Sequence, residues 1–175
     1  IIKSEVLSPK QQMAENTEVL RGLMLQLYTL YPNELAKSTQ VGAREMTEWV
    51  FDGKANWKFE AIRSLQGKDA LTLLFDANYQ SDHILPLIVG LETQLFAHYG
   101  AKNEFEIPQV INPIQLTQVK CDIQELSKDL MERTLKNKKL LDVFENANSL
   151  DAIQRTLHNL THRLKENTGV SDICQ

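Results

Sequence analysis

Apolar residues recur along this chain at spacings of three and four, which is the period of amphipathic helices rather than of strands. Ser8, Pro9 and Gln11 supply an N-cap, a proline at the first helical position and a capping-box partner, so they predict a helix start. From Val19 to Tyr31 this first helix is apolar almost all round. That pattern is typical of a central helix with neighbours on several sides.

Prolines, glycines and capping residues delimit the other predicted helices. Residues 101–112 are the longest stretch without helical signals, and we expect them to form an apolar, extended connection. The helices predicted after the first are: about 33–51 with a break near Gly42, one capped by Asn56, one opened by Asp69, Pro86 to Tyr99, Asn112 to about Asn137, Leu140 to Ala147, and one capped by Ser149.

Seven or eight helices without an evident linker predict a single-domain all-α bundle with a central apolar helix. We assign residues 1–167 to this domain and 168–175 to a flexible C-terminal tail. The composition, 42% apolar and 24% charged over 175 residues, agrees with one soluble domain.

Charge and hydropathy exclude two classes of partner. The net charge of −4 provides no whole-chain basic field, so nucleic acid is not expected. The longest apolar run, Ile84 to Val89, is far shorter than the roughly 20 residues that cross a bilayer.

The first residue is Ile1 rather than Met, which indicates that a signal peptide, a tag or the rest of a longer protein preceded it.

One set of side chains has the spacing of metal ligands. His158, His162 and Glu166 follow one another at helical turns and could hold zinc. Against this, residue 159 is Asn rather than the Glu of a zinc-protease motif, and Arg155 stands in the same stripe. We therefore favour a solvated polar face, and the sequence predicts no cofactor.

A ladder of carboxylates follows the helix that begins at Asn112. Such groups can serve acid–base chemistry or bind calcium. Interleaved Lys and Arg residues at i,i+4 spacing favour a salt-bridged solvent face instead. The ladder consists of Asp122, Glu125, Asp129 and Glu132.

Two apolar features exceed what helix packing needs. Both tryptophans lie in a repeated Trp-x-Phe pattern that could form a binding platform or plug the end of the bundle. The 101–112 connection is the second feature. His98 lies on an apolar arc of its helix, and we interpret it as a hydrogen-bonded core histidine. The candidate binding residues are Trp49, Phe51, Trp57 and Phe59 in the first feature, and Phe105, Ile107, Val110 and Ile111 in the second.

The two cysteines, Cys121 and Cys174, have no C-x-x-C spacing, so a zinc ribbon or a thioredoxin-type site is excluded. Cys121 lies opposite the apolar stripe of its helix and should be accessible. We hypothesise a Cys121–Cys174 disulfide, which would indicate an oxidising compartment. The alternative is a nucleophilic Cys121, although the charges of Lys120 and Asp122 beside it cancel.

Residues 83–104, HILPLIVGLETQLFAHYGAKNE, followed at 111–130 by INPIQLTQVKCDIQELSKDL, resemble a group of uncharacterised all-helical lipoproteins of Gram-negative bacteria. The resemblance rests on helix-boundary residues and covers about a third of the chain. It implies an upstream signal peptide with a possible lipid anchor, a periplasmic or envelope location and no assigned activity. A cytoplasmic location is the alternative.

Three hypotheses about function stay open. The preferred hypothesis is a non-catalytic helical cell-envelope protein that binds a protein or another envelope component. Its alternatives are a metal-dependent or acid–base hydrolase and a helical carrier of a lipid or other apolar ligand.

Overall fold

The computed structural model describes residues 7–168 and Cys174, apart from the side chains of residues 161 and 163–168. In this part of the chain every regular element is helical, and the eight α-helices confirm the predicted single all-α domain. Most of the predicted tail, 168–175, lies outside the described residues. The α-helices are α1 Pro9–Leu30, α2 Pro32–Ser38, α3 Ala43–Asp52, α4 Gly67–Thr72, α5 Ile84–His98, α6 Pro113–Leu135, α7 Lys138–Val143 and α8 Ala147–Thr168.

Side-chain caps start α1 and α6 where the sequence predicts them. The Gln11 amide N–H donates to Ser8 Oγ over 3.2 Å, and the Ser8 N–H donates to Gln11 Oε1 over 2.9 Å. Asn112 Oδ1 accepts the Gln115 N–H at 2.8 Å. These bonds satisfy amide groups that a helix start leaves unpaired.

None of the helices in the described part of the chain is long and apolar enough to span a membrane.

The prediction of an α-helix capped by Asn56 is wrong. Asn56 and Trp57 have φ angles of 54° and 62°, in the left-handed region that ends helices, and only a 3₁₀ turn at Glu60–Ile62 follows. Phe59 and Ile62 are nonetheless buried, so their helical spacing reflects tertiary packing rather than an α-helix.

The centre of the bundle is α5. Twelve of its 15 residues are buried, and it packs against α1, α4 and α6. Residues 19–31 belong to α1, which has neighbours on several sides as the pattern predicts: α1 packs against α2, α3, α5 and α8. Its exposed positions include the thin polar strip of Gly22, Gln26 and Thr29.

Hydrogen bonds between side chains set the register of α1 against α5. Residue numbers rise along one helix as they fall along the other, so the two helices run antiparallel. A slip of one turn would leave these buried polar groups without partners, which costs about 1–3 kcal/mol for each group. The bonds are Tyr99 Oη to Gln12 Oε1 (3.0 Å), Thr17 Oγ1 to Glu92 Oε1 (2.5 Å) and Tyr28 Oη to Oδ2 of Asp82, just before α5 (2.5 Å).

The short helix α4 approaches α5 closely at two glycines. A Cβ on Gly90 would lie 2.7 Å from the Leu71 Cγ and 3.1 Å from the Gly67 carbonyl oxygen. Gly67 has a φ of +54° and donates its N–H to Thr93 Oγ1 over 2.6 Å. Glycine is therefore required at position 90 so that the two helices can touch.

We expect Gly90→Ala to destabilise the protein by about 1–3 kcal/mol, because the added methyl group overlaps a buried leucine and a backbone carbonyl. Gly22→Ala is the matched control, since no atom lies within 4 Å of its added Cβ. It should stabilise α1 by up to about 1 kcal/mol. Urea unfolding of both variants measures the difference, and equal effects would contradict the close approach.

Glu92 is a fully buried carboxyl group in the middle of α5. Thr17 contacts its Oε1, whereas its Oε2 has no hydrogen-bond partner among the described residues. Burial raises the pKa of Glu92 from its ordinary value of 4.5 to about 8, and the hydrogen bond from Thr17 opposes the shift. Glu92 is therefore mostly protonated at neutral pH.

The raised pKa of Glu92 predicts that the free energy of unfolding decreases as the pH rises from about 4.5 to about 8. The protonated group contributes fully below its unfolded pKa of about 4.5, and this contribution is lost as the pH rises through about 8. Between about pH 5 and about pH 9, the wild-type free energy of unfolding should fall by a few kcal/mol relative to Glu92→Gln.

Urea titrations at several pH values measure this difference. Glu48→Gln, which changes an exposed carboxyl group, should keep the wild-type pH dependence. Parallel curves for wild type and Glu92→Gln would show that Glu92 is not buried as a neutral group.

Candidate functional site

One side of α6 lines an open groove along most of the helix; we call it the α6 groove. It consists of two clefts of about 400 Å³ each, which share His98 and Asp122. At 1.5 Å per residue, the lining stretch 115–133 extends over about 27 Å. Its α6 residues recur at spacings of one and three, which places them on one face of the helix. They are Gln115, Gln118, Val119, Asp122, Glu125, Leu126, Asp129, Leu130 and Arg133.

The first cleft is more apolar than the second, and the exposed Val110 is part of its lining. Its wall opposite α6 is formed by the end of α5 and the 101–112 connection, including Tyr99, Pro108 and Ile111. Val110 is 83% exposed, and on either side of it in the chain Phe105 is 84% and Ile114 is 83% exposed. Side chains of this kind usually face the core, so three exposed ones within ten residues of the chain indicate a binding surface.

The 101–112 connection is held by its own hydrogen bonds. At the end of α5, Gly100 has a φ of +76°, and the N–H of Ala101 donates to the Phe96 carbonyl over 2.9 Å. This is the geometry of a Schellman cap. The Lys102 N–H then donates to Glu106 Oε2 over 2.8 Å.

Within the same turn, the Phe105 N–H donates to Asn103 Oδ1 over 2.9 Å. Ile107 is 8% exposed and attaches the connection to the core. The exposed ring of Phe105 is therefore presented on a folded turn, so a partner would not have to order this segment on binding.

The second cleft is amphipathic. The side chains of Leu71, Phe75, Leu126 and Leu130 form its apolar part, and Lys68 lies on the α4 side. On the α6 side are the carboxylates of Asp122, Glu125 and Asp129. Glu125 and Asp129 are exposed, as a solvent face requires, and they also line the cleft; Glu132 is exposed and does not line it.

Arg133 closes one end of this cleft. Its guanidinium carbon lies 4.0 Å from the centre of the Phe75 ring, and its Nη1 is 3.9 Å from Asp129 Oδ2. The ring contact holds the arginine over an apolar surface. Three carboxylates and two cations thus line the cleft, so a ligand with basic groups fits its charge better than an acidic ligand.

His98 stands where the two clefts meet and is half-buried, rather than enclosed in the core. Gln94 Oε1 accepts the Lys68 N–H at 3.1 Å, so the Gln94 amide nitrogen is the atom that faces His98 Nε2, at 3.0 Å. A donor at Nε2 assigns the ring proton of neutral His98 to Nδ1.

Burial lowers the pKa of His98 below its ordinary value of 6.5. Asp122 opposes this shift and Lys68 adds to it. In this tautomer the Nδ1–H group of His98 is buried and has no hydrogen-bond partner among the described residues.

The second aromatic candidate is divided between core and surface. Trp57 and Phe59 are buried, Phe51 is half-buried, and Trp49 is 54% exposed. Only part of the repeated Trp-x-Phe pattern therefore acts as a plug. The exposed indole of Trp49 lies beside a separate pocket, away from the residues that line the α6 groove.

The candidate metal ligands are not seen to form a metal site among the described residues. The rings of His158 and His162 stack with their centres 5.5 Å apart. The side chain of Glu166 lies outside the described residues. Among the residues that the structure does describe, no three His, Cys, Asp or Glu side chains are grouped so that they could hold a metal ion.

The structure joins Cys121 to Cys174 by a disulfide, with the Cα atoms 5.4 Å apart. Cys121 lies on α6 next to Asp122, so the bond attaches a residue near the end of the chain close to the α6 groove. With both sulfurs bonded, Cys121 is not a free nucleophile.

Comparisons with protein-family models, curated proteins and solved structures found no match to this chain.

Sequence reasoning missed three features: that His98 lies where the two clefts meet, that the carboxylates it had identified on α6 line the groove, and that Ile114 is exposed. A signal existed for Ile114, which is apolar but lies off the buried stripe of α6, next to the connection. For the other two, the pattern shows which face of a helix is polar but not what lies opposite that face.

Proposed function

We propose that this domain is a non-catalytic cell-envelope protein that binds a segment of another protein in the α6 groove. The observation that carries the proposal is the exposure of Val110 in the lining of the apolar cleft, together with the exposure of Phe105 and Ile114 within ten residues of the chain. Large apolar side chains on a preorganised surface are the usual centre of a protein-binding site.

The charges of the second cleft specify the partner further. Asp122, Glu125 and Asp129 follow the apolar cleft along the same helix face. A segment that lies along the groove would place apolar side chains at the 105–114 end and lysine or arginine side chains beside these carboxylates. Charge complementarity of this kind contributes mainly to the rate and specificity of association.

An envelope location is supported by the Cys121–Cys174 disulfide, because such bonds persist in oxidising compartments. The resemblance to Gram-negative lipoproteins supports the same location.

Peptide selection against the oxidised full chain tests the proposal. The library would display random peptides of about ten residues, which span the groove of about 27 Å when extended. We expect enriched peptides to combine large apolar residues with Lys or Arg. Phe105→Asp and Val110→Asp should each weaken binding of a synthesised peptide at least about tenfold, because they place a charge in the apolar contact.

Leu135→Asp is the matched control, since Leu135 is also exposed, at 52%, but does not line the groove. It should leave peptide affinity unchanged. Combined Asp122→Asn and Glu125→Gln should weaken binding at low salt and have less effect at about 0.5 M salt, where charges are screened. Failure to enrich any peptide, or equal binding by Val110→Asp, would overturn the proposal.

A further inference from the structure

A separate pocket of about 300 Å³ lies between α2, α3 and the segment 55–61; we call it the Trp49 pocket. From its geometry we propose that the Trp49 pocket binds a small uncharged aromatic compound that carries one hydroxyl or amine group. This site shares no lining residue with the α6 groove and does not depend on the function proposed for it.

Trp49 offers an aromatic surface that is held in place. Its ring and that of Phe59 pack in a T-shaped arrangement, with 5.5 Å between ring centres and an interplanar angle of 70°. Behind it, Gly53 approaches so closely that an added Cβ would lie 3.3 Å from Trp49 Cδ1 and 2.1 Å from the Trp49 carbonyl oxygen. The indole is 54% exposed, so it can contact a second ring without first moving out of the core.

The pocket also has an apolar interior of limited size. Met46, Phe59 and Leu85 contribute to its lining and are each at most 3% exposed. Its volume lies at the lower end of small-molecule sites, which suits a single ring. Lys58 and Glu60 at its edge have opposite charges, so they give no preference for an anion or a cation.

Ser38 provides a directional polar group in the lining. Its hydroxyl donates to Asp82 Oδ2 over 2.6 Å. Asp82 is held in turn by the Tyr28 hydroxyl and by the Ile84 N–H, which donates to Asp82 Oδ1 over 2.8 Å. Because the Ser38 proton is committed to this carboxylate, its oxygen is left as an acceptor, and the matching ligand must carry a donor.

The backbone beside the pocket is in an uncommon conformation. Asn56 and Trp57 both have positive φ, which is uncommon for residues other than glycine and exceptional for a bulky side chain. The turn they form leads directly to Lys58 and Phe59 in the pocket lining. Conformations of this kind are concentrated at ligand sites.

Nuclear magnetic resonance titration with p-cresol tests the inference, with toluene as the matched compound that lacks the hydroxyl donor. The chain has two tryptophans, so a Trp49→Phe variant identifies the Trp49 indole signal. We expect p-cresol to shift that signal saturably and to bind about fivefold more tightly than toluene, as one neutral hydrogen bond allows. Equal affinities, or no saturation, would overturn the inference.

Two variants separate the parts of the site. Ser38→Ala should reduce p-cresol binding to the level of toluene, and an unchanged preference for p-cresol would contradict the role of Ser38. Since Ser38→Ala also removes a bond to Asp82, Ala61→Phe is the second test: it adds a ring to an exposed residue of the lining and should block both compounds. Persistent binding in Ala61→Phe would exclude this pocket.

Val41→Phe adds the same ring at an exposed position that does not line the pocket, and it should bind p-cresol like wild type. Val110→Asp, which alters the α6 groove, should do the same. A loss of p-cresol binding in either variant would show that the Trp49 pocket is not the site.

Discussion

The structure depends on the burial of α5, a helix that contacts solvent at few of its positions. Such a helix cannot place its polar groups in water, so each needs a partner inside the protein or must remain uncharged. Thr17 meets Glu92, and Gln12 meets Tyr99, both across the antiparallel contact with α1. The apolar surface of α5 favours its burial, while these few polar bonds select one register.

The same helix positions both candidate sites. The C-terminal end of α5 carries His98 and, through the Gly100 cap, directs the chain into the connection that exposes Phe105. Its N-terminal end receives Asp82, whose carboxylate orients the Ser38 hydroxyl of the Trp49 pocket. A rigid central helix can therefore keep two surfaces preformed, which lowers the entropy that binding must overcome.

Much of the fold follows from local signals in the sequence. Ser8 and Asn112 cap their helices with their own side chains, and Gly100 ends α5 by its positive φ, so neighbouring residues suffice to locate these boundaries. The segment after Asn56 was predicted wrongly because Phe59 and Ile62 share a helical spacing while two left-handed residues prevent an α-helix.

The candidate sites follow less well from the sequence. Within one short connection, Phe105 and Val110 are exposed and Ile107 between them is buried. Which of these side chains faces outward depends on the turn at Asn103. The sequence shows that Asp122 and Glu125 lie on the polar face of α6, but it does not show whether that face is open to solvent or lines a groove. Only the packing of α4 and α5 beside α6 turns that face into a groove.

Native-state hydrogen exchange tests most directly whether α5 is the framework on which the rest depends. Its amide groups should exchange only through global unfolding, with the free energy that urea unfolding gives at the same pH. Amides of the 101–112 connection should exchange through smaller openings. If the α5 amides exchange at a lower free energy than the α6 amides, the account is contradicted. In that case α6 would stay folded when α5 opens, so α5 could not be the framework for α6.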